Sequence, residues 1–413
     1  MKRLFQHIAI GVIGLFIVWK GIIPAFTDVD TDFPNYYTSS RLVLEGKDIS
    51  RLYDDNWFQE QMTAYGIEQQ GKFSPFPPVT AFIMIPLAML SPQGALRVWT
   101  VINIIVLITT AIVLTKIADK DWRWSCLLIL GGGVALINNF RFGQWYLILA
   151  FLMLMGYYFL ERKRLSTAGI LFGIGAAFKY FPIVVLPILL LNKQWSAVLS
   201  FILTIALIYC VGLVTFGTQL HSEFFSRVLN EHISGNIQNP FSATFQSWNS
   251  LLRRLFMYDP LLNPLPVVNS TLLFQGIKDV IIATVAGASC WALKLTYRIR
   301  EKEKLAVQVA LITIGGMLLL PASATYHFLI LVLPLGLLLR GKNHWNIWQK
   351  ILVGSFLMIG FLPYRYFRDF DGKQWLTVLA YPRLWLATIM FIARYFYVAK
   401  YSKHSLNSES VTA

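Results

Sequence analysis

Acidic side chains are scarce in this sequence: 21 aspartates and glutamates stand against 36 lysines and arginines in 413 residues. Charged residues of both signs make up only 14%. A soluble domain carries about 25% charged residues, so this chain lacks the polar surface to enclose a core in water. A water-soluble globule is excluded. Cysteine is nearly missing too. Cys126, Cys210 and Cys290 all lie in apolar stretches, which predicts small packing residues and speaks against a disulfide framework or a metal role. No spacing of Cys, His, Asp and Glu matches a metal site, and no Ser-His-Asp set can be assembled with any specificity. A nucleotide fingerprint is absent as well. Gly169-x-x-x-Gly173-x-Gly175 sits in an apolar run with no strand before it, so it predicts a close-packing helix face. Gly131-Gly132-Gly133 reads likewise. Nothing resembles a cytosolic phosphate-binding domain for a nucleotide sugar, and neither a solenoid nor an inverted repeat is evident.

Long apolar runs are what the chain has in their place. Hydrophobic residues reach 56% and the mean hydropathy is +0.56. Runs near the length a helix needs to cross a bilayer fall at roughly 7–26, 95–115, 123–139, 144–160, 166–178 and 181–192. Further runs follow at roughly 196–216, 277–297, 304–320, 325–340, 350–364 and 376–399. The predicted class is all-α integral membrane, with about twelve crossings in one transmembrane domain over residues 1–400. Residues 8–25, behind Met-Lys-Arg, predict a retained signal anchor rather than a cleaved leader.

Basic residues cluster beside these runs, at Lys2 and Arg3, at Lys116, Lys120 and Arg123, and at Arg162-Lys163-Arg164. The later clusters are Arg298, Arg300, Lys302 and Lys304, then Arg340 and Lys342, then Lys400 and Lys403. The net charge of +15 therefore reads as an orientation signal toward the cytoplasm and anionic lipid, not as a nucleic-acid footprint. Parity holds all these loops on one side only if residues 77–90 form a re-entrant or interfacial helix on the external face. Residues 166–178 and 181–192 predict a short helical hairpin turning at Lys179-Tyr180-Phe181-Pro182. Two long polar segments, 27–76 and 217–275, are expected to be external, and loops this long in a compact protein usually carry function. Within the first, 35–44 and 53–65 are amphipathic, and the former could lie on the membrane surface. Residues 401–413 are expected to be a disordered cytoplasmic tail.

Candidate chemistry gathers in those external segments. Asp28, Asp30 and Asp32 directly follow the first apolar run, and a carboxylate there can act as a general base on an acceptor hydroxyl. The competing reading is a solvated acidic turn. Lys179 interrupts an apolar hairpin, which calls for a partner unless it snorkels to the interface. Arg253 and Arg254 suit phosphate oxygens, although two charges in a polar loop are often only solvated. His327 stands where an apolar run breaks, at an expected external helix end, as a cavity residue or a hydrogen-bonded packing residue. Gln144, in Phe142-Gly143-Gln144-Trp145, could tether a sugar or the loop.

An ordered series of short motifs joins these residues. It runs Asp32-Phe-Pro-Asn-Tyr36-Tyr37, Arg41-Leu-Val-Leu-Glu-Gly46, Leu52-Tyr53, Phe76-Pro-Pro78 and Ile85-Pro-Leu87. It continues through Gly143-Gln144, Ala168-Gly169 to Lys179-Tyr-Phe-Pro182, Phe245-Gln246-Ser247, and Pro321-Ala-Ser323 ahead of His327. From about Thr27 to Arg340 the series resembles glycosyltransferase family 87, the polyprenyl-phosphate-mannose-dependent mannosyltransferases of the GT-C fold. That resemblance implies a GT-C-type polytopic bundle with Asp32 as catalytic base, and a lipid-linked donor whose phosphate leaves with inversion. It also implies an acceptor glycolipid or glycan at the external face of the plasma membrane. Lys179, Gln246, Arg253, Arg254, His327 and Gln144 become the donor-phosphate and substrate residues, with no cofactor and no metal required. A transporter or flippase of lipid-linked saccharides is the competing class. It would place ionisable groups near the midplane in paired halves, whereas here they gather at one face.

Overall fold

The computed structural model describes residues 2–29, 31–236, 239–341 and 344–409, so the candidate Asp30 lies outside the described residues. The protein is an all-helical membrane protein. Among the described residues there is no strand, only an isolated bridge between Asp259 and Asn263. A helix satisfies its own backbone groups, which is what a chain crossing hydrocarbon requires. Four helices are long and apolar enough to cross: Arg3–Ala25, Pro92–Ala118, Trp195–Ser234 and Thr271–Arg298. The number rises to six if two bent pairs each count as one span. These are Val134–Arg141 with Tyr146–Glu161, bent by 115°, and Gln374–Ala380 with Pro382–Lys400, bent by 66°. Other expected crossings are shorter apolar helices, Leu165–Lys179, Phe181–Leu191, Thr325–Leu338 and Ile347–Phe361. The count of about twelve is therefore not reached on length.

The chain forms two compact units. The first comprises Met1–Leu114, Trp122–Leu130 and Ala135–Ile237. In it the polar segment 27–76 carries two helices, Phe33–Leu44 and Asp55–Ala64, the second capped by Asp54, which accepts from Trp57 N at 3.1 Å. The first of these is no surface helix. Phe33, Tyr36, Tyr37 and Leu42 are buried with Phe58, Phe73 and Phe76, and its polar residues Asn35, Thr38, Ser39 and Ser40 are buried too. Residues 77–90 also depart from the expected helix. They form a 3-10 turn, Pro78–Phe82, followed by further turns, because Pro77, Pro78 and Pro86 withhold backbone donors. The buried helix serves the carbonyls left over: Ser40 Oγ donates to Ala81 O (2.7 Å), Arg41 to Ala88 O (2.6 Å) and Tyr37 Oη to Leu90 O (2.8 Å).

The hairpin has the expected form, with Leu165–Lys179 turning through Tyr180 (φ 21°) into Phe181–Val185 and Leu186–Leu191. Its glycine face packs as the spacing predicts. A Cβ on Gly169 would strike the Ala197 carbonyl, and one on Gly173 would lie 2.9 Å from Phe201 O. The long helix Trp195–Glu223 kinks at Gly217 (φ 76°, ψ 169°). Helical structure continues to Ser234, so the second polar segment begins as helix rather than loop.

The second unit comprises Thr115–Asp121, Gly131–Val134 and Gln238–Ala413. Gly133 (φ 48°) presses on the backbone of Gly360, another close approach read from a glycine run. The final helix, Pro382–Glu409, carries the chain past Lys400 as helix where disorder was expected. Cys126 is half-buried, Cys210 and Cys290 are exposed, and all three are free thiols.

Candidate active site

A sharp break in the first unit builds the site. Between Val134–Arg141 and Tyr146–Glu161 the chain turns through Gly143, whose φ of 59° favours glycine. A Cβ at 143 would also lie 2.6 Å from Phe33 Cβ. Phe33 N donates to Phe142 O (3.1 Å), and Trp99 Nε1 donates to Gly143 O (2.9 Å), so the break is pinned from two sides. The start of the Phe33–Leu44 helix is thereby held beside Gln144. Asp32 occupies the helix N-cap position, yet its carboxylate does not cap the helix. It accepts a hydrogen bond from Gln144 Nε2 instead. Thr31, in the left-handed region (φ 63°), donates its N–H to Gln69 Oε1 (2.6 Å) and sets the entry of the turn.

A hydrogen-bonded chain extends from there. Tyr36 Oη donates to Gln144 Oε1 (3.3 Å) and accepts from Lys179 Nζ (2.8 Å). Lys179 leaves the end of the Leu165–Lys179 helix into an aromatic enclosure, 4.3 Å from the Phe76 ring centroid, 5.2 Å from Tyr36 and 5.4 Å from Tyr146. Ring faces attract a cation most where water is displaced. The Tyr36 ring stacks on Phe76 at 4.7 Å. Burial pushes the Tyr36 phenol well above its ordinary range, and the Asp32 carboxylate adds to that, so the hydroxyl stays a proton donor. The site thus holds a carboxylate fixed by an amide and a cation fixed by a phenol. Such a set can accept a proton at one end and stabilise growing negative charge at the other.

Of the residues expected from the sequence, Asp32, Gln144 and Lys179 meet here. Tyr36 was not among them. Its signal was available: it lies four residues after Asp32 on one helix, hence on the same face. Asp28 takes the Thr27 hydroxyl (2.7 Å) in an exposed turn. Among the described residues, no group of three or more His, Cys, Asp and Glu could hold a metal ion.

Gln246, Arg253, Arg254 and His327 belong to the second unit. Gln246 is buried with its amide fully engaged by backbone: Nε2 donates to Ala243 O (2.6 Å) and Ala380 O (3.0 Å), and Oε1 accepts from Arg383 N (2.9 Å). Gln246 N donates to Ser323 O (2.9 Å) and Ser247 Oγ to Pro321 O (2.8 Å), so two motifs distant in sequence are stitched together. Arg254 pairs with Asp371 (3.0 Å) and donates to Leu262 O (2.5 Å). Burial pushes Asp371 up and Arg254 offsets part of that. Arg253 lies over the Phe274 ring (4.9 Å), and burial lowers its guanidinium from the usual range. His327 is half-buried, with Nδ1 3.0 Å from Ala324 O and its ring stacked on Tyr326 (5.0 Å).

Comparison with known proteins adds an independent line. Residues 75–321 match the profile of glycosyltransferase family 87. That stretch takes in Gln144, Lys179, Gln246, Arg253 and Arg254, while Asp32, Tyr36 and His327 fall outside it. A curated relative from Mycobacterium tuberculosis (strain H37Rv) is 26% identical over 341 residues, covering 77% of this chain and 75% of its own. It is a polyprenol-phosphate-mannose-dependent alpha-(1-2)-phosphatidylinositol mannoside mannosyltransferase. A second, from strain CDC 1551, is 22% identical over 319 residues, covering 75% of this chain and 66% of its own. It is a polyprenol-phosphate-mannose-dependent alpha-(1-2)-phosphatidylinositol pentamannoside mannosyltransferase. No solved structure matches the chain.

Proposed function

The chain belongs to glycosyltransferase family 87, and on that premise we propose that it transfers mannose from a polyprenyl-phosphate donor to a glycolipid. The reaction takes place at the external face of the plasma membrane, within a GT-C-type bundle whose basic loops face the cytoplasm. Asp32 takes the proton of the acceptor hydroxyl as that oxygen forms a bond to the anomeric carbon. The bond from the anomeric carbon to the phosphate oxygen breaks on the opposite side, so configuration inverts. The electron pair leaves on the polyprenyl phosphate, and Lys179 offsets its charge. Gln144 holds the carboxylate of Asp32 in place.

One observation carries this reading: the chain of hydrogen bonds from Lys179 through Tyr36 and Gln144 to Asp32. A base and a cation joined by one hydrogen-bonded chain suit a transfer with an anionic leaving group. The relatives' use of polyprenol-phosphate-mannose and of phosphatidylinositol mannosides supports the choice of donor and acceptor class. The test incubates purified protein with a panel of polyprenyl-phosphate sugars and a phosphatidylinositol mannoside. Release of polyprenyl phosphate and a heavier glycolipid are expected with the mannose donor. Equal turnover of every donor, or none of any, would reject it, and movement of lipid-linked sugar across vesicles without hydrolysis would favour a transporter.

A further inference from the structure

We infer that Tyr36 is a positioning residue of the transfer reaction, tying the Lys179 ammonium to the Asp32 carboxylate through the Gln144 amide. The inference rests on the proposed role of Asp32 and goes beyond it by saying what orients that base. The argument is one of donors and acceptors. As an ammonium, Lys179 Nζ can only donate, and it donates to Tyr36 Oη at 2.8 Å. The Tyr36 proton is then directed at Gln144 Oε1, 3.3 Å away. With its carbonyl taken, Gln144 can present only its NH₂ group to Asp32, where the structure has it. Were the amide turned over, its oxygen would face a carboxylate oxygen and repel it.

Three features make Tyr36 a fixed relay rather than a loose contact. It is fully buried, its ring stacks on Phe76 at 4.7 Å, and it sits on the helix that begins one residue after Asp32. Lys179 is held on the far side by Phe76 and Tyr146, so the relay is anchored at both ends. The cation thus acts at a distance on the base as well as on the leaving group.

The experiment compares Tyr36→Phe, Gln144→Leu, the double variant and Asp32→Asn, using polyprenyl-phosphate mannose and a phosphatidylinositol mannoside acceptor. Phenylalanine keeps the ring and its stacking, so Tyr36→Phe should fold and insert, with a Tm in detergent lowered by the Lys179 and Gln144 groups it leaves unpaired. Its kcat should fall about 10- to 100-fold while the donor KM changes less than about twofold, because geometry is lost and not donor contact. Gln144→Leu should show a similar fall. The double variant should be little worse than either single one, since both break one chain. Multiplicative losses in the double variant, or a normal kcat for Tyr36→Phe beside an inactive Asp32→Asn, would overturn the relay and leave the base assignment standing. An active Asp32→Asn would remove the base assignment and the relay with it. Should Tyr36→Phe fail to fold, the kcat and KM of Gln144→Leu decide the matter alone.

Discussion

The two units treat buried polar side chains in opposite ways. In the first, Asp32, Gln144, Tyr36 and Lys179 bond to one another across 108 to 143 residues of sequence. In the second, Gln246 spends its whole amide on backbone groups of Ala243, Ala380 and Arg383, and Arg254 is taken up by Asp371 and the Leu262 carbonyl. Both patterns engage buried polar groups, as burial demands. Only the first joins a carboxylate to an ammonium through a chain of side chains. The second closes loops. Residue type and burial are alike in the two places; what differs is the identity of the partners.

Substitutions can break this contrast, and the largest effect belongs to the base. Asp32→Asn retains size and most hydrogen bonding but cannot take a proton, so transfer should fall about 10²–10⁴-fold with donor binding preserved. Asp28→Asn, in the exposed turn, should lose little. Steady-state release of polyprenyl phosphate measures both. A collapse at 28 with near-normal rate at 32 would move the base to the other aspartate.

Next comes the cation. Lys179→Ala should raise donor KM and lower kcat together, reducing kcat/KM by about 10²–10³-fold, the size seen when one donor to a developing anion is removed. Lys179→Arg should be milder without being neutral, since a planar fork replaces a point charge in an aromatic enclosure. Full activity of Lys179→Ala at limiting donor would reassign the residue to snorkelling.

In the second unit the effects should shift from rate to stability. Gln246→Ala orphans two buried carbonyls and one N–H, which should cost on the order of 2–4 kcal/mol of stability. The readout is a lowered Tm in detergent with donor KM unchanged. A raised donor KM at unchanged Tm would return Gln246 to substrate binding. The smallest effect is expected from Asp371→Asn, which breaks the partly exposed pair with Arg254 and should cost about 1–2 kcal/mol after allowance for solvent. A variant with wild-type Tm would show that the pair contributes nothing measurable.

The membrane class and most helical segments were legible along the chain, because apolar runs and the length of a bilayer are one-dimensional properties. So were the close helix contacts at Gly169, Gly173 and Gly133, since a missing Cβ next to apolar neighbours has few other uses. Lys179 was legible as a candidate because a charge in an apolar hairpin is costly without a partner, whereas Asp32 was set apart from Asp28 and Asp30 only by the motif series that opens on it. The helix Phe33–Leu44 was misread as a surface element. Its Asn, Thr and Ser residues look solvent-facing in sequence, but all are buried in the fold, where Ser40 bonds to the Ala81 carbonyl of the proline-rich turns that follow and Ser39 to the Tyr36 carbonyl of its own helix. Gln246 engages the backbone of Ala243, Ala380 and Arg383, which its residue type did not foretell, as a side-chain amide serves a backbone loop as readily as a ligand.

By itself, then, the order of residues determined that this protein is a helical membrane protein with the motif series of a glycosyltransferase family, but not where each helix bends. Only the tertiary structure decided which polar side chains meet. Hydrophobic length is read locally, residue by residue, whereas a hydrogen bond between positions 32 and 144 depends on a helix break that bends the chain by 115° to bring them together.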